Sequence, residues 1–243
     1  MAPAEIILAV LVIFLGVFTQ SLTGFGSGLV TMAFLPALLG IQMASPLVAL
    51  VNIVIELALL VRFRHALQVK TIWPMILASL ALIPLGVWAV SSLDEDLVLA
   101  VLGLVMVIFS GWALLGIRLP RLRHPAWGAV AGGLGGALGG AYNTSGPPVI
   151  MYGNCRGWPP AEFKANLTGY FIINSIFIVA NHAWNGNFDT GVLRTFALSL
   201  PAIGLGMLFG FWFDRFINPA VFRKIVLGLL LVMGMRYVLW SLF

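Results

Sequence analysis

Long apolar runs along the chain are separated by short polar interruptions. The runs lie at about 4–20, 28–41, 45–61, 71–90, 97–117, 125–141, 147–155, 162–184, 191–213 and 220–243. Several approach the ~20 apolar residues with which a helix crosses ~30 Å of hydrocarbon. The pattern predicts an all-α polytopic membrane protein of about ten helices. Two places do not suit a continuous helix in lipid. One is Thr23-Gly24-Phe25-Gly26-Ser27-Gly28. The other is Tyr142-Asn143-Thr144-Ser145-Gly146-Pro147-Pro148, inside the stretch "GGAYNTSGPPVIMYG" at 139–153.

Composition strengthens the membrane reading. Of 243 residues, 61% are hydrophobic and 9% charged, against about 25% charged in a soluble domain. So few charges cannot build a water-facing surface, and no polar stretch is long enough for a separate soluble domain. The start, Met1-Ala2-Pro3-Ala4-Glu5, lacks a positive n-region, so no cleaved signal peptide is expected. A single cysteine, Cys155, excludes an intrachain disulfide and a CxxC redox or metal site.

The net charge of +5 maps onto topology rather than onto nucleic acid. Eleven of the thirteen Lys and Arg residues fall in 62–70, 118–124, 156–164 and 214–224; Arg194 and Arg236 are the others. Cytoplasmic loops carry the Lys/Arg excess, which places these four stretches inside and 91–96 and 185–190 outside. Residues 125–155 must then leave the cytoplasm and return, as a hairpin turning at membrane depth. By the same count, 4–41 is a hairpin opening to the opposite side, and both termini lie outside. Each hairpin is followed by three spans. The expected organisation is two inverted repeats. The N-terminal one covers 1–117 (hairpin 4–41, spans 45–61, 71–90, 97–117). The C-terminal one covers 125–243 (hairpin 125–155, spans 162–184, 191–213, 220–243). "VLGLV" at 101–105 and "VLGLL" at 226–230 fall at the same point of each half. Inverted repeats with broken helices are a recurring transporter plan, with substrate held near midplane where the breaks meet.

Unpaired backbone at membrane depth is tolerated only in protein or around a water-filled cavity. Pro147 and Pro148 suit a helix start. Asn143, Thr144 or Ser145 could cap that helix, and Ser27 the other. A helix N-terminus favours an anion, and glycines allow a ligand close to the backbone. The two breaks therefore read as halves of an anion cradle. No Lys or Arg is placed deep, which suits an anion that must be released again. The candidate substrate-binding residues are Gly24, Phe25, Gly26, Ser27 and Gly28; Tyr142, Asn143, Thr144, Ser145, Gly146 and Pro147; and Asn52 and Asn166 on the following spans. The competing reading of the glycines is close helix packing, as in Gly132/Gly136 and Gly136/Gly140.

Glu56 lies within a span and is a candidate proton carrier, since an intramembrane carboxylate is costly and functional by default. The alternative is pairing with Arg62 or Arg64. Thr168 and Asn174 either line the cavity or bond between helices. Arg236 is read as snorkelling outward and His182 as an interface residue. No GxSxG, Walker loop, HExxH or complete GxGxxG occurs, so no enzyme activity, cofactor or metal is expected. Without a nucleotide site, transport would be secondary or passive.

"SLTGFGSGLVTMAFLP" and "GGALGGAYNTSGPPVIMYGNCRGWPPAEFKANLTGYFIINS" resemble the two motif regions of the TauE/SafE family of sulfite and organosulfonate exporters. The resemblance spans nearly the whole chain. It implies transport of sulfur-containing or related organic anions across the cytoplasmic membrane of a prokaryote, with 24–28 and 143–147 as the functional loops. The expected partners are a small anionic substrate and the lipid bilayer, with no nucleic acid; the sequence does not set the oligomeric state. The alternatives are an anion channel and a membrane accessory or assembly protein without a substrate.

Overall fold

The computed structural model describes residues 3–63, 67–117, 119–122 and 124–240. Among them are ten helices and no strand: α1 (Pro3–Thr23), α2 (Ser27–Leu39), α3 (Ile41–Phe63), α4 (Val69–Ser92), α5 (Glu95–Leu115), α6 (Ala126–Tyr142), α7 (Gly146–Arg156), α8 (Pro160–Trp184), α9 (Thr190–Phe213) and α10 (Pro219–Trp240). Six of them, α1, α3, α4, α5, α8 and α9, are long and apolar enough to cross a membrane. This is a multi-pass membrane protein. The helix-hostile stretches fall where α1 gives way to α2 and α6 to α7. With 13 and 11 residues, α2 and α7 are only ~20 and ~17 Å long at 1.5 Å per residue.

Burial separates the centre from the rim. In α3 and α8, 61% of the span is buried, against 33% in α4 and α5 and 28% in α9. The rim helices turn Leu8, Leu11, Trp73, Leu104, Leu198 and Leu205 outward, as a lipid-facing surface requires. The central pair runs antiparallel: Ser45 Oγ lies 3.5 Å from His182 Nε2, Ala49 packs with Ile178, and the Gln68 N–H donates to Asn166 Oδ1.

Around this pair the packing is two-fold in pattern. α1 runs parallel to α9, with Phe14 against Phe209 and Phe18 against Phe213 at ring distances of 6.4 and 6.3 Å. α6 runs parallel to α4, with Gly132, Gly136 and Gly140 lying on the backbone of Met75, Ser79 and Ile83. A methyl at any of the three would collide with that backbone, so these glycines set the helix separation. α5 and α10 meet at Gly103 and Gly234. Exchanging α1–α5 with α6–α10 turns the α1/α9 pair into the α6/α4 pair and returns α3/α8 and α5/α10 to themselves.

Capping fixes the polar ends. Asp94 Oδ1 accepts from Asp96 N and Leu97 N at the start of α5, and Asp189 Oδ1 accepts from Val192 N at 2.7 Å at the start of α9. Both carboxylates sit where free N–H groups favour negative charge. Glu95 reaches across to accept from the Ile41 N–H at 2.9 Å.

Candidate functional site

The breaks are built differently from the same backbone need. α1 ends at Thr23, and Gly24 and Gly26 follow with φ of 87° and 105°. α6 ends at Tyr142, and Asn143 caps it with a φ of 53°, the one positive value on a non-glycine residue among the described residues. Asn tolerates this conformation better than most side chains. Its amide also holds the turn, donating to the Ser45 carbonyl at 2.7 Å.

The two breaks touch. Gly28 lies so close to the Asn143 carbonyl oxygen that a side chain there would strike it. Asn52 bridges them: the Ser27 hydroxyl donates to Asn52 Oδ1, and Asn52 Nδ2 donates to the Asn143 carbonyl at 3.4 Å. Asn52 is the midpoint of α3, with eleven residues on each side. Where the breaks meet there is a cavity of about 30 Å³, lined from both halves by Gln20, Phe25, Asn52, Glu56, Thr144 and Ser145, among others. That holds roughly two water molecules.

The walls carry unused polar atoms. Seven buried side-chain atoms among the described residues have no hydrogen-bond partner, and four belong to residues that line this cavity: Gln20 Nε2, Glu56 Oε2, Asn143 Oδ1 and Thr144 Oγ1. Buried polar groups are nearly always satisfied, so these four atoms give this cavity hydrogen-bonding capacity that water or a polar ligand can take up. No Lys or Arg among the described residues lines it. The available donors are an amide, hydroxyls and first-turn N–H groups.

The capping expected of the hydroxyls is corrected. The N-cap of α2 is Gly26, and Ser27 is already helical, its hydroxyl committed to Asn52. Ser145 does occupy the N-cap of α7 but makes no side-chain cap bond. The Ser27 N–H is taken by Gln20 Oε1 at 3.0 Å. In the first turn of α7, Pro147 and Pro148 have no N–H to give. The two helix starts therefore offer fewer backbone donors than the proline-rich sequence suggested.

Of the sequence candidates, Phe25, Gly26, Gly28, Asn52, Glu56, Asn143, Thr144, Ser145 and Gly146 line the cavity, and Ser27 supports it from behind. The rest stand elsewhere. Gly24 faces a neighbouring chamber. The Tyr142 hydroxyl is tied to the Val98 carbonyl at 2.8 Å. Pro147 is buried in α7 outside the lining. Asn166 is used at the α3–α4 connection and by Glu162. Thr168 and Asn174 bond to helix carbonyls, and Asn174 also accepts from Ser79. Arg236 lines a separate pocket together with Asp94 and Asp96. His182, in the last turn of α8, is wholly buried within the protein. Glu56 opens onto the cavity, with the Ser175 hydroxyl within bonding reach. Arg64 and the Arg62 side chain lie outside the described residues.

Sequence reasoning missed Gln20, Ser175 and Phe171. Gln20 had a signal: a lone amide at the end of an apolar run, three residues before the first break. Ser175 follows Asn174 on a span already singled out, but one step round the helix.

Fold and site together define a polytopic helical membrane protein whose two interrupted helices enclose a buried polar cavity. The profile of the family described as "Sulfite exporter TauE/SafE" matches residues 8–237, and the chain belongs to that family. It is 26% identical over 228 residues, 90% of this chain and 88% of the relative, to the "Probable sulfite/organosulfonate exporter TauE" of Cupriavidus necator. No solved structure matches the chain.

Proposed function

We propose that this protein is a secondary transporter that exports small sulfur-containing anions, such as sulfite or organosulfonates, across the prokaryotic cytoplasmic membrane. The chain works by alternating access around one anion site near midplane. That site is the cavity where the two breaks meet, at the level of Asn52. The observation that carries this reading is that residues of both halves line that cavity with unpartnered polar atoms, the donors Gln20 Nε2 and Thr144 Oγ1 among them, beside the acceptors Asn143 Oδ1 and Glu56 Oε2. The name of the Cupriavidus relative supports the substrate class.

The chemistry follows from the donors. The Gln20 amide and the Thr144 and Ser145 hydroxyls can each donate to an oxyanion. The first-turn N–H groups of Gly28 and Leu29 have no partner earlier in α2 by helix geometry. Each hydrogen bond to a charged group contributes ~1.5–3 kcal/mol. Several neutral donors bind an anion without the deep well of a buried ion pair, so release stays fast.

Glu56 ties anion binding to proton binding; a proton carried with the anion favours entry from an acid exterior, so export is driven by the outward anion gradient. An ionised carboxylate and an anion in one small cavity repel, so anion binding and Glu56 protonation favour each other, and by linkage the effect is reciprocal. Room for roughly two waters is less than a sulfonate group occupies, so binding must part the two breaks. The proposed inverted repeats give that motion a symmetric alternative: the contacts α1 makes with α9 have counterparts between α6 and α4, so either half can open while the other stays closed. Both termini face outside in this scheme.

Purified protein in proteoliposomes tests it. Saturable sulfite uptake that supports counterflow is the expected result. Conductance without counterflow would make the protein a channel, and no flux with sulfite, ethanesulfonate or taurine would leave an accessory role.

A further inference from the structure

Phe25 faces two spaces at once. One is the central cavity. The other is a chamber of about 320 Å³ whose walls include Thr23, Gly24, Phe163, Lys164 and Arg223. Arg223 also lines a surface pocket of about 590 Å³ with Arg121 and Lys224. No Asp or Glu lines either space. Arg223 thus belongs to both spaces and stands beside Phe25, whereas no cation among the described residues lines the central cavity. The Arg223 guanidinium carbon stands 5.4 Å from the centroid of the Phe25 ring, within cation–π range. Its buried Nε has no hydrogen-bond partner. Phe25 itself hangs between the two left-handed glycines, Gly24 and Gly26, with its carbonyl held by the Thr23 hydroxyl at 2.6 Å.

We infer that the chamber at Lys164 and Arg223 is a second, outer binding site for an oxoanion, and that Phe25 is the gate between it and the central cavity. This rests on the reading of the central cavity as the anion site. A guanidinium in a partly enclosed chamber attracts the opposite ion. Arg presents a planar fork of donors to an oxoanion, and the unused Nε is one of them. The same guanidinium lies over Phe25. An anion that engages it competes with the cation–π contact and loosens the ring, which can then turn on the flanking glycines. The anion passes from a charged site to one of neutral donors, a descent in field strength that keeps it from being trapped.

Two readouts separate this inference from the transport reading. The first needs no transport. Ala220 lines both the chamber and the surface pocket, so Ala220→Cys in a Cys155→Ser background reports local charge. The ratio of its reaction rates with an anionic and a cationic methanethiosulfonate should fall about tenfold on adding Arg223→Gln, and stay near its starting value with Arg223→Lys. Ethanesulfonate should slow both reagents unless Arg223→Gln is present. The second is sulfite counterflow. Arg223→Gln should raise the half-saturating concentration on the chamber side about tenfold while the maximal rate and the opposite side change less than about twofold. Phe25→Ala should let flux proceed without exchange. An unchanged rate ratio in a folded Arg223→Gln protein, or sulfite loading equal from both sides before and after, overturns the outer site. Absence of sulfite flux in the unmodified protein sinks the transport reading instead, and the thiol ratio still decides the chamber.

Discussion

The break after α1 and the break after α6 solve one backbone problem with opposite chemistry. Each must end a helix, reverse the chain and start a short helix within a few residues. The first uses Gly-Phe-Gly, with two left-handed glycines and a large apolar ring between them. The second uses Asn-Thr-Ser, with a left-handed Asn whose amide is bonded to Ser45. The first is hinged and plugged; the second is pinned and polar. Thr144 stands in the second break where Phe25 stands in the first, and its hydroxyl is an unpartnered atom of the cavity wall. On the proposed reading, the two breaks serve as a gate and a ligand set on one backbone plan.

The sharpest way to break the comparison is to push the two halves apart. Gly28→Ala places a methyl against the Asn143 carbonyl. Overpacking costs ~1–3 kcal/mol, so thermal unfolding should fall by several degrees. Sulfite counterflow through the folded protein should slow about tenfold, because the breaks can no longer close on each other. A variant as stable and as fast in counterflow as the parent would mean that the breaks need not touch.

Next comes the pinned side. Asn143→Gly keeps the left-handed backbone and removes the amide, whereas Asn143→Ala loses both. Thr144→Val removes a hydroxyl at nearly constant volume. Thr144→Val and Asn143→Gly should each weaken sulfite binding ten- to a hundredfold by calorimetry, and Asn143→Ala should also be less stable. Equal stability of the Gly and Ala variants would show that the positive φ carries no cost here.

Much of this arrangement was legible in the chain, for definite reasons. Both breaks were visible because glycines and consecutive prolines cannot continue a lipid-spanning helix, and their positions held to within a residue or two. Asn52 and Glu56 were visible as polar atoms inside apolar runs. The Ser27 hydroxyl was misread because a Ser before a helix is a good cap, and only the fold shows Asn52 competing for it. Asn166 and Tyr142 were overextended: position beside a motif says nothing of which way a helix face turns. Gln20 was passed over because it sits at the end of a run, where a polar residue reads as interface. The glycine stripe of α6 could be resolved as packing only once α4 lay against it.

A smaller effect concerns coupling rather than affinity. Glu56→Gln is nearly isosteric and removes the charge. The variant should keep sulfite exchange and lose accumulation driven by a pH gradient, read in proteoliposomes with and without the gradient. An unchanged pH dependence would remove Glu56 from the mechanism. Smallest of all, Ser27→Ala loses a bond behind the cavity wall and should weaken binding only about threefold, under ~1 kcal/mol. Arg236→Ala, in the separate pocket lined also by Asp94 and Asp96, should leave affinity within about twofold.

The central claim is that both breaks hold one anion together. Calorimetric titration with sulfite of a double-mutant cycle between Gln20→Leu and Thr144→Val tests it most directly, since the two side chains come from opposite halves. Each single variant should bind ten- to a hundredfold more weakly, and the double variant should lose less than the product, by at least ~0.5 kcal/mol of coupling. If both singles bind within twofold of the parent while Arg236→Ala abolishes binding, a rim charge holds the anion and the shared cavity does not.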